Sequence, residues 1–290
     1  MKKITLLNGI LLILILFSCS SDDDSTPVNN QTEELSLSRM VIEESFDFGQ
    51  TYPQLITRTF ENNLPIVDST FSSEIFYLKT VYNYDVNDNL ISLEFFDDNN
   101  LLTSKYEYLY DSNERIINIH YEEFEFNFTN NNTYNYNQPN QIVINNGEAT
   151  ILYNSDNLVT QLSNQNGYME TATYNGNKPV VVTTTENNIS LEFEFTNEAY
   201  KGGFEFKTMF NNNLLNTYLN TDGLRSSGSL IGVGNSSKLN KITRTYNDLN
   251  QTQTINFEYI INQNGYLTQI NESSNDWSGT EISRTTFEYE

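Results

Sequence analysis

An all-β fold is the class this chain predicts: a large antiparallel β-meander, either a curled single sheet or two layers, with one irregular insert. Two observations carry that expectation. Apolar and polar residues alternate with a period of two through most of residues 39–290, and polar runs rich in Asp and Asn recur between the alternating stretches.

The chain opens differently. Lys2 and Lys3 precede a mostly apolar stretch, Ile4 to Phe17, and Leu16-Phe17-Ser18-Cys19 ends it on the chain's only cysteine. About 14 apolar residues interrupted by Thr5, Asn8 and Gly9 are too few to span a bilayer and have the build of a cleaved signal segment. Residues 1–18 are therefore expected to be a signal peptide, with Cys19 the site of lipid attachment. These residues resemble the lipobox of bacterial lipoproteins. Ser20-Ser21-Asp22-Asp23-Asp24 resembles the acidic tract that follows the acylated cysteine in lipoproteins of Bacteroidetes and flavobacteria, which implies transport to the outer-membrane surface. Residues 19–38 are almost devoid of apolar side chains and are expected to be a flexible acidic tether. A coil of that length reaches roughly 25 Å.

Removal of residues 1–18 leaves 13 basic against 38 acidic side chains, so 13 minus 38 gives a formal charge of −25. Such a surface repels nucleic-acid backbones and anionic headgroups. Contact with a membrane is expected through the lipid anchor alone, and no nucleic-acid partner is expected. With one cysteine there is no intramolecular disulfide to staple the fold.

Residues 39–290 read as a single domain built on a recurring phrase: an aromatic, a polar turn, then a branched aliphatic. Copies begin at Tyr84-Asp85, Phe96-Asp97, Tyr110-Asp111, Tyr136-Asn137, Tyr153-Asn154, Tyr174-Asn175 and Ile261-Asn262. Asp and Asn tolerate left-handed backbone and bond their own main chain, so each phrase is a turn with a mechanism. Between turns, Phe76, Leu78, Thr80, Tyr82 and Tyr84 share a strand face, as do Tyr106, Tyr108 and Tyr110. Leu191, Phe193 and Phe195 alternate with Glu192 and Glu194, and Ile255, Phe257, Tyr259 and Ile261 with Asn256 and Glu258. Ile117, Ile119 and Tyr121 are out of step with Phe124, Phe126 and Phe128, which predicts a bulge or short turn at Glu122-Glu123 that restores an inward face. Counting alternating runs gives about 14 strands. Residues 201–238 escape the pattern: Phe206, Phe210, Leu214 and Tyr218 have helical spacing, and Gly223, Gly228, Gly232 and Gly234 make a loose loop.

The phrases resemble degenerate tyrosine-aspartate (YD) repeats, and the order of tether, hairpins, insert and terminal Thr286-Phe287-Glu288-Tyr289 is similar to uncharacterised β-meander lipoproteins of Bacteroidetes. The resemblance implies an extended antiparallel sheet and no particular activity.

Residues that carry chemistry are sparse. His120, the single histidine, shares a polar strand face with Asn118 and Glu122, which is too few ligands for zinc. Asp85-Val86-Asn87-Asp88-Asn89 opens like a calcium loop, but Leu90 and Phe96 stand where Gly and Glu are required. Asp24-Ser25-Thr26 and Asp68-Ser69-Thr70 resemble the O-glycosylation acceptor motif of exported Bacteroidetes proteins. No catalytic residue, metal or cofactor is assigned. The expectation is an outer-membrane-anchored, surface-exposed lipoprotein with a non-enzymatic binding or structural role and an extracellular glycan or protein as partner. Two alternatives stand beside it. A glycan-binding accessory or glycoside-active enzyme would need two carboxylates and an aromatic row converging in one cleft, and a carrier of an apolar ligand would need an unfilled interior.

Overall fold

The computed structural model describes residues 35–45, 54–72, 75–185, 188–196, 198–204, 209, 219, 238–275 and 280–290. Cys19 and the expected signal peptide lie outside the described residues, as does the tether up to residue 34.

Eighteen strands follow one another: β1 (Leu37–Ser45), β2 (Gln54–Glu61), β3 (Leu64–Ser72), β4 (Ile75–Tyr84), β5 (Leu90–Phe96) and β6 (Leu102–Tyr110). Next come β7 (Ile116–Glu123), β8 (Phe128–Gln138), β9 (Gln141–Ile144), β10 (Ala149–Tyr153), β11 (Val159–Asn164) and β12 (Met169–Asn175). The last are β13 (Lys178–Thr184), β14 (Ile189–Thr196), β15 (Lys238–Tyr246), β16 (Gln251–Ile261), β17 (Leu267–Asn275) and β18 (Thr280–Tyr289). The first strand starts two residues inside the stretch expected to be tether, because Leu37 is an inward, buried residue.

Each strand pairs antiparallel with the next, and β18 pairs with β1 through Met40 opposite Phe287. Ser36 and Glu290 exchange both N–H···O bonds at 3.0 Å just beyond that ladder. The sheet is thus an 18-stranded closed barrel, which corrects the expectation of a curled open sheet or two layers. Closure satisfies the edge N–H and C=O groups that an open sheet leaves unpaired. The count of about 14 fell short because short strands such as Gln141–Ile144 carry too few residues to show alternation.

Alternation sets the two faces of the wall. Tyr108, Ile119, Leu191, Phe193 and Ile242 point inward and are buried, with Phe257 half-buried against the same core. Lys105, Glu107, Glu192, Glu194, Asn256 and Glu258 occupy the intervening outward positions. The turn expected at Glu122-Glu123 falls just after it, and of the three phenylalanines Phe128 returns to the inward face, opposite Glu123. A turn fills residues 124–127, and Phe124, Phe126 and Phe128 are exposed. Ile116 is the inward residue at the start of β7, since the ladder shifts between Leu109 and Tyr110 and leaves Ile117 as the extra, outward residue.

Six turns share one geometry. Asp85, Asp97, Asp111, Asn154, Asn164 and Asn262 each accept the N–H groups two and four residues on with one side-chain oxygen, at 2.8–3.1 Å. The fourth residue of each, Asp88, Asn100, Glu114, Asn157, Gly167 or Gly265, has positive φ. The turn at Asn164 escaped the sequence reading, because Asn164 follows the polar Ser163 and neither an aromatic nor an aliphatic residue. Asp85 spends its carboxylate on this turn, accepting Asn87 N–H, Asn89 N–H and the Asn89 amide.

Loops from even to odd strands, and both ends of the barrel, gather at one rim. Near that rim, tyrosine hydroxyls bond the carbonyl of a residue at the start of the preceding strand: Tyr84 to Pro65, Tyr110 to Leu90, Tyr136 to Ile116, Tyr174 to Val159, Tyr259 to Leu239 and Tyr289 to Leu267, at 2.6–2.9 Å. At this tyrosine rim those strand pairs have no connecting turn, so the hydroxyl closes the gap. Burial in apolar surroundings pushes the hydroxyls of Tyr84, Tyr110, Tyr136, Tyr174 and Tyr259 well above the ordinary phenol range.

A circular barrel of this strand number encloses a channel unless something fills it. Leu90, Ile116 and Ile142 are nonetheless fully buried, and the connection from β14 to β15 supplies part of the filling. Met209 is 1% exposed within the core cluster, and Phe204 and Leu219 pack against it. The helical spacing of Phe206, Phe210, Leu214 and Tyr218 and the four glycines from Gly223 to Gly234 lie outside the described residues.

Candidate functional site

The start of the insert is clamped to the inner wall. Lys201 accepts from Leu267 N–H at 2.9 Å and donates to Gly265 at 2.8 Å, while Gly203 N–H donates to the Tyr289 hydroxyl at 2.8 Å. Gly202, at φ +69°, passes so close to Tyr289 that a Cβ would sit 2.5 Å from the ring. Phe204 then lies over Arg58, with its ring centre 5.1 Å from the guanidinium carbon.

Arg58 and Asp68 face each other across β2 and β3 inside the barrel, with Nε to Oδ1 at 2.7 Å and Nη2 to Oδ2 at 2.6 Å. The Tyr82 hydroxyl adds a third bond to Asp68 Oδ2 at 2.7 Å. Burial disfavours the Arg58 charge, but the neighbouring Tyr82 and Asp68 hold the guanidinium protonated beyond its usual range. This pair is a fixed interior strut. In the Asp68-Ser69-Thr70 motif, Asp68 and Thr70 are 7% and 6% exposed on the inward face, and Ser69 lies on the outward one.

Two features face solvent. The first is an aromatic row on the inner face near the rim opposite the tyrosines. Its ring centres step from Phe95 to Tyr106 by 6.0 Å, to Tyr121 by 4.6 Å and to Phe128 by 6.2 Å. Phe128 is half exposed and Phe126, at the turn, is 69% exposed. Glu123 pairs opposite Phe128 and Ser104, so it shares the face of the row, whereas Glu107 and Glu122 project outward. His120 is on the outer face opposite Glu107 and Asn131.

The second is a groove of about 530 Å³ in the outer wall where β7, β8 and β9 part. The β7–β8 ladder runs from Glu123–Phe128 to Asn118–Thr133, and β8–β9 pairing breaks between Asn135 and Gln138. Residues 136 and 137 form a bulge between the Asn135–Val143 and Gln138–Gln141 pairs, and past Thr133 the Tyr136 hydroxyl on Ile116 draws β8 back toward β7. Thr133, Asn135, Asn137 and Asn146 supply the polar lining, with Ile117, Val143, Tyr134 and Tyr136 the apolar part. Asp111 and Arg115 close one end. Arg115 donates to Asp111 Oδ2 from Nε at 2.8 Å and Nη2 at 2.5 Å, and its guanidinium lies 4.3 Å from the Tyr136 ring centre. Burial alone would raise the Asp111 carboxyl, but the bonds from Arg115 and from the turn's N–H groups outweigh it and hold the carboxyl below the usual range.

The sequence reading named none of the groove residues as a site. One signal was legible: an arginine at the fifth position of the Asp111 turn, where its guanidinium returns to the aspartate that starts the turn.

No family model and no curated protein matches this chain. Solved structures do resemble it in outline. A porin-like protein from Bacteroides uniformis is 10% identical, with a TM-score of 0.46 over 88% of this chain and 96% of that one. A porin-like protein from Bacteroides vulgatus is 12% identical, with a TM-score of 0.41 over 89% of this chain and 99% of that one. A TcdB2–TccC3 structure is 16% identical, with a TM-score of 0.25 over 87% of this chain and 15% of that one.

Proposed function

We propose that this protein is a lipid-anchored barrel that stands in water at the outer-membrane surface and serves a non-enzymatic binding role. The observation that carries the reading is the polarity of the wall. On β14, β15 and β16 the outward positions carry Glu192, Glu194, Lys241, Thr243, Asn256 and Glu258, with Ile260 the apolar exception, while Leu191, Phe193, Ile242, Ile255 and Phe257 point inward beside the polar Arg244 and Gln253. A barrel that spans a bilayer has the reverse arrangement, an apolar band outside and a polar lumen. A charged side chain on a lipid face costs about 2–4 kcal/mol at mid-bilayer, so this wall is unsuited to lipid. Attachment then falls to Cys19. An apolar cargo is less well supported, because Phe204, Met209 and Leu219 occupy interior space that such a cargo would need.

The test is fractionation of cells expressing the chain with Cys19→Ala, alongside metabolic labelling with a fatty-acid analogue. Wild-type protein should take up the label and stay with outer membranes through alkaline carbonate extraction. The variant should lose the label and become soluble. A variant that remains in carbonate-washed membranes would mean that the barrel itself is embedded, and the reading would fall. Protease treatment of intact cells that leaves wild-type protein uncut would overturn the surface location.

A further inference from the structure

We propose that the groove between β7, β8 and β9 is a binding site for a neutral carbohydrate chain, which gives the binding role above a ligand class and rests on that reading. The groove lies within the volume range of small-ligand sites, about 300–1,000 Å³. Its lining differs from the apolar walls usual in such sites. Asn135, Asn137 and Asn146 each present a carboxamide, which offers both donors and an acceptor, and Thr133 adds a hydroxyl. Asn135 commits only its Oδ1, to Asn137 N–H at 3.0 Å. That leaves its amide N–H groups to donate. Ligands that satisfy mixed donors and acceptors at close spacing are polyols, whose adjacent hydroxyls do both.

Charge selects within that class. The one cation among the groove's lining residues, Arg115, is already neutralised by two bonds to Asp111 Oδ2, so no free positive charge is offered to a carboxylate, sulfate or phosphate. The chain as a whole carries −23 and repels anions further. Ile117 and Val143 provide the apolar surface on which the C–H face of a sugar ring rests. Addition of a peptide strand is disfavoured, because Asn135 already takes the Asn137 N–H that such a strand would have to bond.

The detergent-solubilised full chain should bind immobilised neutral polysaccharides, such as glucan, mannan, xylan or galactan, in preference to polygalacturonate or sulfated glycans. Asn137→Ala should weaken binding at least tenfold with an unchanged melting temperature, Asn135→Ala should weaken it as much while also losing the bond to Asn137 N–H, and Glu194→Ala should leave binding unchanged. Failure to bind any neutral glycan overturns the proposal, as does preference for the anionic ones. Binding that survives both Asn variants but is lost in Phe128→Ala would put the ligand on the aromatic row instead, and would equally overturn it. Since the measurement is made in detergent, it stands or falls independently of whether Cys19 is acylated.

Discussion

The Tyr110 hydroxyl donates to the Leu90 carbonyl at 2.6 Å, joining the end of β6 to the start of β5 at a rim where no turn connects them. Leu90 itself is fully buried. Removing the donor leaves a carbonyl with little access to water. Tyr110→Phe should therefore cost about 1–2 kcal/mol. Urea denaturation would show a lower midpoint with an unchanged slope, and a loss under about 0.5 kcal/mol would mean that the hydroxyl is ornamental.

The same tyrosines make the barrel sensitive to base. Burial raises the Tyr134 phenol to about 12, and Tyr84, Tyr110, Tyr136, Tyr174 and Tyr259 are raised further. A group whose pKa is raised on folding contributes no penalty below the unfolded value near 10. Above it the unfolded chain sheds protons that the folded chain retains, so stability falls as pH rises. The melting temperature should hold steady up to about pH 10 and drop progressively beyond it. Ultraviolet titration should show these phenols ionising together with loss of the β-sheet circular dichroism signal. Ordinary titration of all 19 tyrosines in a still-folded protein would contradict the burial described above.

The interior strut of Arg58 and Asp68 should respond differently to single and double replacement. Asp68→Leu alone strands a guanidinium in an apolar interior and should cost about 3–5 kcal/mol. Arg58→Met combined with Asp68→Leu should recover most of that loss, because no uncompensated charge remains. A double variant as unstable as the single one would assign the strut a role in shaping the interior beyond charge balance.

Glu114 holds φ +59° at the fourth position of its turn, where Gly167 and Gly265 stand in two sister turns. A side chain in that conformation is strained by about 1–2 kcal/mol, partly offset by the greater freedom glycine has when unfolded. Glu114→Gly should raise stability by about 0.5–1 kcal/mol. The same change at Asn100 should have a smaller effect, since Asn tolerates the left-handed region.

What could be read from sequence was whatever repeats locally. The Asp and Asn turns and the inward placement of Tyr108, Ile119 and Phe193 follow from residue chemistry within a few positions. Closure was not legible, because the pairing of Met40 with Phe287 joins residues nearly 250 apart and leaves no local mark. Ile116 and Ile117 show a second limit: a bulge shifts the inward face by one residue, and two adjacent isoleucines look alike to a period-two pattern. The groove was hidden for a related reason. It exists because β8 parts from β7 after Thr133 and bulges against β9 between Asn135 and Gln138, whereas the residues Asn135-Tyr136-Asn137 still alternate like an ordinary strand.

The pairing of Ser36 with Glu290 also has a meaning in time. Until residues Thr280–Tyr289 dock, β1 has a partner on one flank only, and its other row of N–H and C=O groups is bare. Hairpins can form early, since each needs only neighbours a few residues away, but the ring can shut only when β18 reaches β1. Folding should accordingly be slow and limited by that last encounter, as in other proteins dominated by distant contacts. Chains truncated before residue 280 would accumulate as open sheets prone to pair with one another.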